Sequence, residues 1–165
     1  MVDSQVGRGL AQVGSSQCDV ASHAFAGNGI TTTPQRETTM PRTCKFEAPI
    51  LVDEPVIEGR YVEMDGYTVG FESVRSDADP APLFRGLPDD RCQCPHWGVV
   101  RSGQVVMRYA DHDETYTEGD AYYAAPGHLP LMFAGTEVVE FSPTRQLQQT
   151  MAVIAGNLQA QVPTP

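Results

Sequence analysis

With 165 residues, 41% of them hydrophobic, the chain has apolar material for one modest core and needs no second domain. Its formal charge of −10, with ten arginines and the single lysine Lys45, leaves no basic patch to neutralise a phosphate backbone, so no nucleic-acid partner is expected. No apolar run approaches the roughly 20 residues that span a bilayer, and the N-terminus lacks a charged-then-apolar secretory pattern. A cytoplasmic protein with no membrane partner is therefore expected, and its four cysteines read as thiols for ligation or burial, not as a disulfide framework.

In chain order, residues 1–45 are rich in Gly, Ser, Gln and Thr and hold no lasting apolar period, which is the pattern of a disordered, mobile tail. Val2, Val6, Leu10 and Val13 could form a short amphipathic helix, but isolated helices of that length are marginal in water. Cys18 and Cys44 sit in or beside this tail and read as incidental.

From residue 46 to 142 the punctuation is that of an all-β domain. Runs 61–64 and 67–74 flank Asp65-Gly66, the dipeptide that most favours a two-residue hairpin. A looser stretch with Pro80, Pro82 and Pro88 follows. Its aspartates Asp77, Asp79, Asp89 and Asp90 lack the ligand spacing of a calcium loop and read as a solvated rim. Strands are then predicted at 93–101, 104–110, 114–117, 121–125, 131–134 and 137–141, separated by short turns, as in an antiparallel sandwich or barrel. The end differs. Ser142 can cap a helix whose first residue is Pro143, and Leu147, Met151, Ile154 and Leu158 recur on one helical stripe, so a helix is expected over 143–158 and a tail to 165.

The segment Cys92-Gln93-Cys94-Pro95-His96-Trp97 carries the chemistry. In an extended strand alternate residues share a face, so Cys92, Cys94 and His96, all metal-ligand types, would point the same way, with His128 folding back from a second segment. Residues four apart on a strand stand roughly 13 Å apart, so Cys92 and His96 are not expected to share an ion easily, whereas neighbouring pairs can. Pro95 could bulge the strand and draw the side chains together. Thiolate and imidazole donors suit a divalent transition metal such as zinc or iron. The expected set is Cys94, His96 and His128, with Cys92 as fourth ligand. The bland alternative has the cysteines lining the core as small hydrophobes and His128 bonding a loop carbonyl.

The ligand-rich strand, the turn at Gly103 and the segment Gly119-Asp120-Ala121-Tyr122-Tyr123-Ala124-Ala125-Pro126-Gly127-His128 resemble, over residues 60–142, the two motifs of the small single-domain cupins. The second motif matches at Gly119, Asp120, Pro126 and Gly127; the first is altered. Counting back from Gly103, the family's glutamate slot falls on His96 and its paired-histidine slots fall near Asp90 and Cys92. The second-motif histidine slot falls on Pro130, two residues after His128. The resemblance implies a cupin-type jelly-roll β-barrel holding a divalent metal; the helical stripe reads first as packing against that barrel and, with the resemblance, also suggests a homodimer. A substrate pocket walled by Trp97, Tyr109 and Tyr123 would suit an uncharged or aromatic small molecule. Three classes follow: a metal-dependent enzyme on a small organic substrate, a binding or sensing barrel without turnover, and a structural-metal or metal-free barrel.

Overall fold

The computed structural model describes residues 41–161. The expectations for the tail before residue 41, including the short helix over Val2 to Val13 and Cys18, fall outside the described residues. Cys44 lies inside them: its carbonyl accepts the N–H groups of Glu47 and Ala48 in a tight turn.

Nine strands and one helix make up the described chain: β1 (Ile50–Asp53), β2 (Ile57–Met64), β3 (Tyr67–Val74), β4 (His96–Ser102), β5 (Gln104–Arg108), β6 (Asp113–Thr117), β7 (Ala121–Ala124), β8 (Leu129–Leu131), β9 (Glu137–Pro143) and α1 (Thr144–Gln161). Two short 3₁₀ turns, Ala81–Phe84 and Pro88–Asp90, lie between β3 and β4. The β2–β3 hairpin forms for the reason its sequence offers. Asp65 and Gly66 both take positive φ, 51° and 82°, the left-handed pair that a two-residue turn matching strand twist requires. That turn sets the register from Met64 opposite Tyr67 to Ile57 opposite Val74.

All strand pairings are antiparallel, in two sheets: a six-stranded one ordered β1-β2-β3-β9-β4-β7 and a three-stranded one ordered β6-β5-β8. After β3 the chain passes repeatedly between them, so the inner faces meet around one core. Val100, Tyr122, Ala124 and Val138 from the larger sheet pack with Val105 and Met107 from the smaller. Fully burying side chains of this size contributes about 1.5–3 kcal/mol each. The architecture is the expected antiparallel β class with a C-terminal helix.

Several boundaries differ from expectation. The strand predicted at 93–101 starts only at His96; Pro95 has no N–H for a ladder, and ahead of it only Cys92 makes a bridge, to His128. The strand predicted at 131–134 is shifted to Leu129–Leu131. The helix does not start at Pro143. Ser142 and Pro143 complete β9, opposite Thr68 and Tyr67, and the helix opens at Thr144, whose N–H donates to the Gly66 carbonyl. The Ser142 hydroxyl is occupied elsewhere, 2.7 Å from His96 Nδ1. Edge strand β1, a four-residue run between prolines, carried no readable periodicity.

The helical stripe is used within the chain. Leu147 and Ile154 of α1 pack on the cluster Phe84, Cys92, Cys94 and Leu129, and Asn157 Nδ2 donates to the Leu83 and Arg85 carbonyls at 2.7 and 2.9 Å. α1 thus lies against the segment that carries the cysteines. Among the described residues, no helix is long and apolar enough to cross a membrane.

Candidate metal centre

His96 opens β4 with its side chain inward, 7% exposed. His128 precedes β8 and is 1% exposed; the Cys92 N–H donates to the His128 carbonyl at 2.9 Å, and the Gly127 N–H donates to the Cys92 carbonyl at 2.7 Å. That two-bond bridge brings Cys92 and His128 side by side. The chain bends at Cys94 and Pro95, which returns His96 to Cys92: Cys92 Sγ stands 3.4 Å from His96 Nε2. Ligand atoms of Cys92, His96 and His128 all lie within 4.8 Å of one another. The expectation that Cys92 and His96 stand too far apart fails because residues 92–95 form no continuous strand and the chain bends at Cys94, so the roughly 13 Å reach of a strand does not apply to them.

Cys94 is not in that group. Its side chain is 1% exposed within the apolar cluster under α1, and its Sγ lies 3.5 Å from the Pro95 carbonyl. Burial pushes its thiol up to about 12, with the Cys92 sulfur adding to the rise. The alternation that put both cysteines on one face is lost in the same bend.

The imidazoles are set up as neutral donors. His128 Nδ1 donates to the Ala125 carbonyl at 2.6 Å, which leaves Nε2 with its lone pair free. His96 Nδ1 meets Ser142 Oγ at 2.7 Å and Glu140 Oε2 at 3.5 Å, which orients the ring so that Nε2 faces Cys92. Burial brings both histidines down to about 4. Burial also raises the Cys92 thiol, partly offset by hydrogen bonds to the Cys94 carbonyl and Thr150.

Beside His96 the inner face carries two carboxyls that sequence reasoning missed. Tyr61 donates to Glu72 at 2.6 Å and Tyr122 donates to Glu140 at 2.5 Å. Burial raises Glu72 to about 7, with Glu140 adding to the rise, and burial likewise raises Glu140. The Tyr122 ring fits because Gly98 opposite it has no side chain; a Cβ there would fall inside the ring. The readable signal was the alternation Val138-Glu140-Ser142 in β9, but alternation does not say which parity faces inward.

The expected pocket wall is corrected at two of its three residues. His96 and Tyr122 face inward, so their strand neighbours Trp97 and Tyr123 face out, 44% and 48% exposed. Their rings lie tilted against each other with centroids 5.0 Å apart, beside Tyr67 and Phe141 on the outer sheet face. Tyr109 does reach the site: its ring meets His128 edge-on at 6.1 Å, and its hydroxyl accepts the Ala125 N–H at 2.9 Å. A cleft of about 430 Å³ opens instead between Asp79, Arg85, Asp90 and Arg91, with Leu129, the residue after His128, in its wall.

No family model matches the chain, and no curated protein matches it by sequence. Its structural neighbours include two proteins from Shewanella frigidimarina described as cupins, a cupin-2 domain protein and an RmlC-like cupin. KdgF from a Halomonas species is similar at 15% identity, over 61% of this chain and 90% of that one, with a TM-score of 0.43. An RmlC-like cupin from Shewanella frigidimarina is similar at 12% identity, over 62% and 90%, with a TM-score of 0.44. The iron(II) form of HppE is similar at 12% identity, over 63% of this chain and 60% of that one, with a TM-score of 0.45.

Proposed function

We propose that the chain binds a divalent transition metal, zinc or iron, through Cys92, His96 and His128, and uses it on a small organic molecule. The observation that carries this reading is the convergence of three buried donor atoms within 4.8 Å, two of them on imidazoles whose Nδ1 atoms are already engaged. Ligand atoms around a tetrahedral zinc ion stand on the order of 3.5 Å apart, from metal–ligand bonds of about 2.0–2.3 Å; the Cys92–His96 separation of 3.4 Å already meets that spacing. One thiolate with two imidazoles selects zinc or iron over manganese or magnesium.

A metal held by Cys92, His96 and His128 would have a fourth position for a substrate oxygen, and the chemistry it would supply is Lewis-acid polarisation. The chain's own groups do the rest. The Ala125 carbonyl fixes the His128 tautomer, Ser142 orients the His96 ring, Glu140 with Tyr122 supplies a hydrogen-bonded carboxyl beside His96, and Tyr109 walls the His128 side. A second reading rests on a different observation. Cys92, His96 and His128 are 2%, 7% and 1% exposed, a closure that suits a structural metal, or a barrel that binds or senses a ligand without turnover.

Elemental analysis after incubation with zinc or iron(II) tests the site. The expected result is about one metal per chain, a sharp loss in His96→Ala, and full retention in Cys94→Ala and Cys18→Ala. A wild-type protein without stoichiometric metal overturns the reading, and loss in Cys94→Ala overturns the ligand set. Azide added to the cobalt(II)-substituted protein separates the two functional readings: altered d–d bands mark an open position, unaltered bands a closed one.

A further inference from the structure

Thr150 lies in the middle of α1 and is 4% exposed. Threonines inside helices ordinarily return their hydroxyl to the carbonyl one turn back or to water. Here the hydroxyl is turned inward, and its hydrogen-bond partner among the described residues is the Cys92 sulfur, at 3.8 Å. Leu147 and Ile154, three residues before and four after, pack on either side of it against the cluster that contains Cys92, so one face of α1 is aimed at that sulfur.

The neighbours of Cys92 Sγ have unequal roles. The Cys94 carbonyl, at 3.7 Å, can only accept. His96 Nε2, at 3.4 Å, is itself a donor atom for an ion. Once Cys92 becomes a thiolate ligand it has no proton to give, and a sulfur acting only as acceptor needs a donor. The Thr150 O–H is the donor that these contacts provide.

We infer that Thr150 is a positioning residue, its hydroxyl donating a hydrogen bond from α1 to the Cys92 sulfur when that sulfur ligates a metal. This rests on the metal reading above. The bond lowers the electron density on sulfur and ties the docking of the C-terminal helix to occupancy of the centre, because an outer partner that orients a ligand raises the affinity of the site. α1 would therefore be held more firmly in the loaded protein.

Cobalt(II) substitution reads the contact directly through the sulfur-to-cobalt charge-transfer band, which moves to lower energy when a thiolate loses a hydrogen-bond donor. Thr150→Val exchanges the hydroxyl for a methyl group of similar size, and Thr150→Ser keeps the hydroxyl. The expected result is a lower-energy band and roughly tenfold weaker cobalt affinity in Thr150→Val, with the wild-type band position kept in Thr150→Ser. Identical bands in wild type and Thr150→Val overturn the role of Thr150 while leaving the metal reading intact. Absence of any sulfur-to-cobalt band in the wild type overturns the metal reading and the inference with it. If Thr150→Val does not fold, Thr150→Ala, which removes the hydroxyl without a branched replacement, decides: a band displaced to lower energy supports the assignment, and an unchanged one overturns it.

Discussion

Single side chains at the centre are held by what their neighbours lack as much as by what they offer. Gly98 is missing a side chain where Tyr122 needs to lie flat, and Tyr122 in turn brings its hydroxyl to Glu140, the carboxyl beside His96. Gly98→Ala places a methyl group inside that ring, so the tyrosine must move and its hydrogen bond with it. Overpacking of this kind costs about 1–3 kcal/mol. The expected outcome is a lower urea midpoint at unchanged denaturant slope, together with a shifted Tyr122 ultraviolet signal; an unchanged midpoint would show that the ring does not rest on Gly98.

At the scale of elements, α1 is fastened at two places by different means. Its middle presents Leu147, Thr150 and Ile154 to the Phe84, Cys92, Cys94 and Leu129 cluster, and its last turns are held by Asn157 on the Leu83 and Arg85 carbonyls. Those carbonyls belong to and follow the 3₁₀ turn Ala81–Phe84. Asn157→Ala removes both bonds at a position beyond the core. Local opening of the helix then becomes easier than global unfolding. We expect faster amide hydrogen exchange across α1 with the β2–β3 hairpin unaffected, read by exchange mass spectrometry; uniform acceleration over both would mean that the helix does not open separately.

Across the whole molecule the buried ionisable groups oppose one another, and their balance sets the response to pH. The folded-state values of His96 and His128 are depressed to about 4. Between there and the ordinary histidine value of 6.5 the unfolded chain binds the extra protons, and these two groups make stability fall as pH falls. Glu72 is raised to about 7 and Glu140 is also raised. Above the ordinary carboxylate value of 4.5 the folded chain keeps those protons, and these two groups make stability fall as pH rises. From about pH 4.5 to 6.5 the pairs offset each other; above 6.5 only the carboxyls remain. The metal-free protein should therefore be most stable on the acid side of neutrality and lose stability from pH 6.5 to 8. Glu72→Gln should flatten the part of that loss nearest neutrality. Thermal midpoints measured at half-unit steps check this, and a midpoint that rises through the same window would contradict the raised carboxyls.

The outer face of the larger sheet belongs to the same scale. Tyr67, Trp97, Val99, Tyr123 and Phe141 stand 39–48% exposed there. Of the helical stripe, Leu147 and Ile154 are half-buried against the Phe84, Cys92, Cys94 and Leu129 cluster of the same chain.

How much of this was legible depended on the range of the physics involved. The Asp65-Gly66 hairpin, the strand-rich middle, the closing helix and the cluster of ligand-type residues around Cys92 to His96 and His128 all follow from local rules: left-handed turn residues, period-two and helical spacing, donor chemistry. Thr150 was readable in part, since its spacing to Leu147 and Ile154 is helical, though a hydroxyl in an apolar stripe looks like a tolerated exception. The choice between Cys92 and Cys94 was not local. It turns on the bend at Pro95 and on the Cys92–His128 bridge, which pairs segments far apart in the chain. Nor could alternation alone turn His96, Tyr122 and Glu140 inward and Trp97 and Tyr123 outward, because a period of two fixes which residues share a face and leaves the choice of face to the packing of one sheet on the other. By itself the sequence determined the elements and the chemical types available to the centre; only the tertiary structure decided which of them meet, because meeting depends on register and on a break in one strand that no local periodicity records.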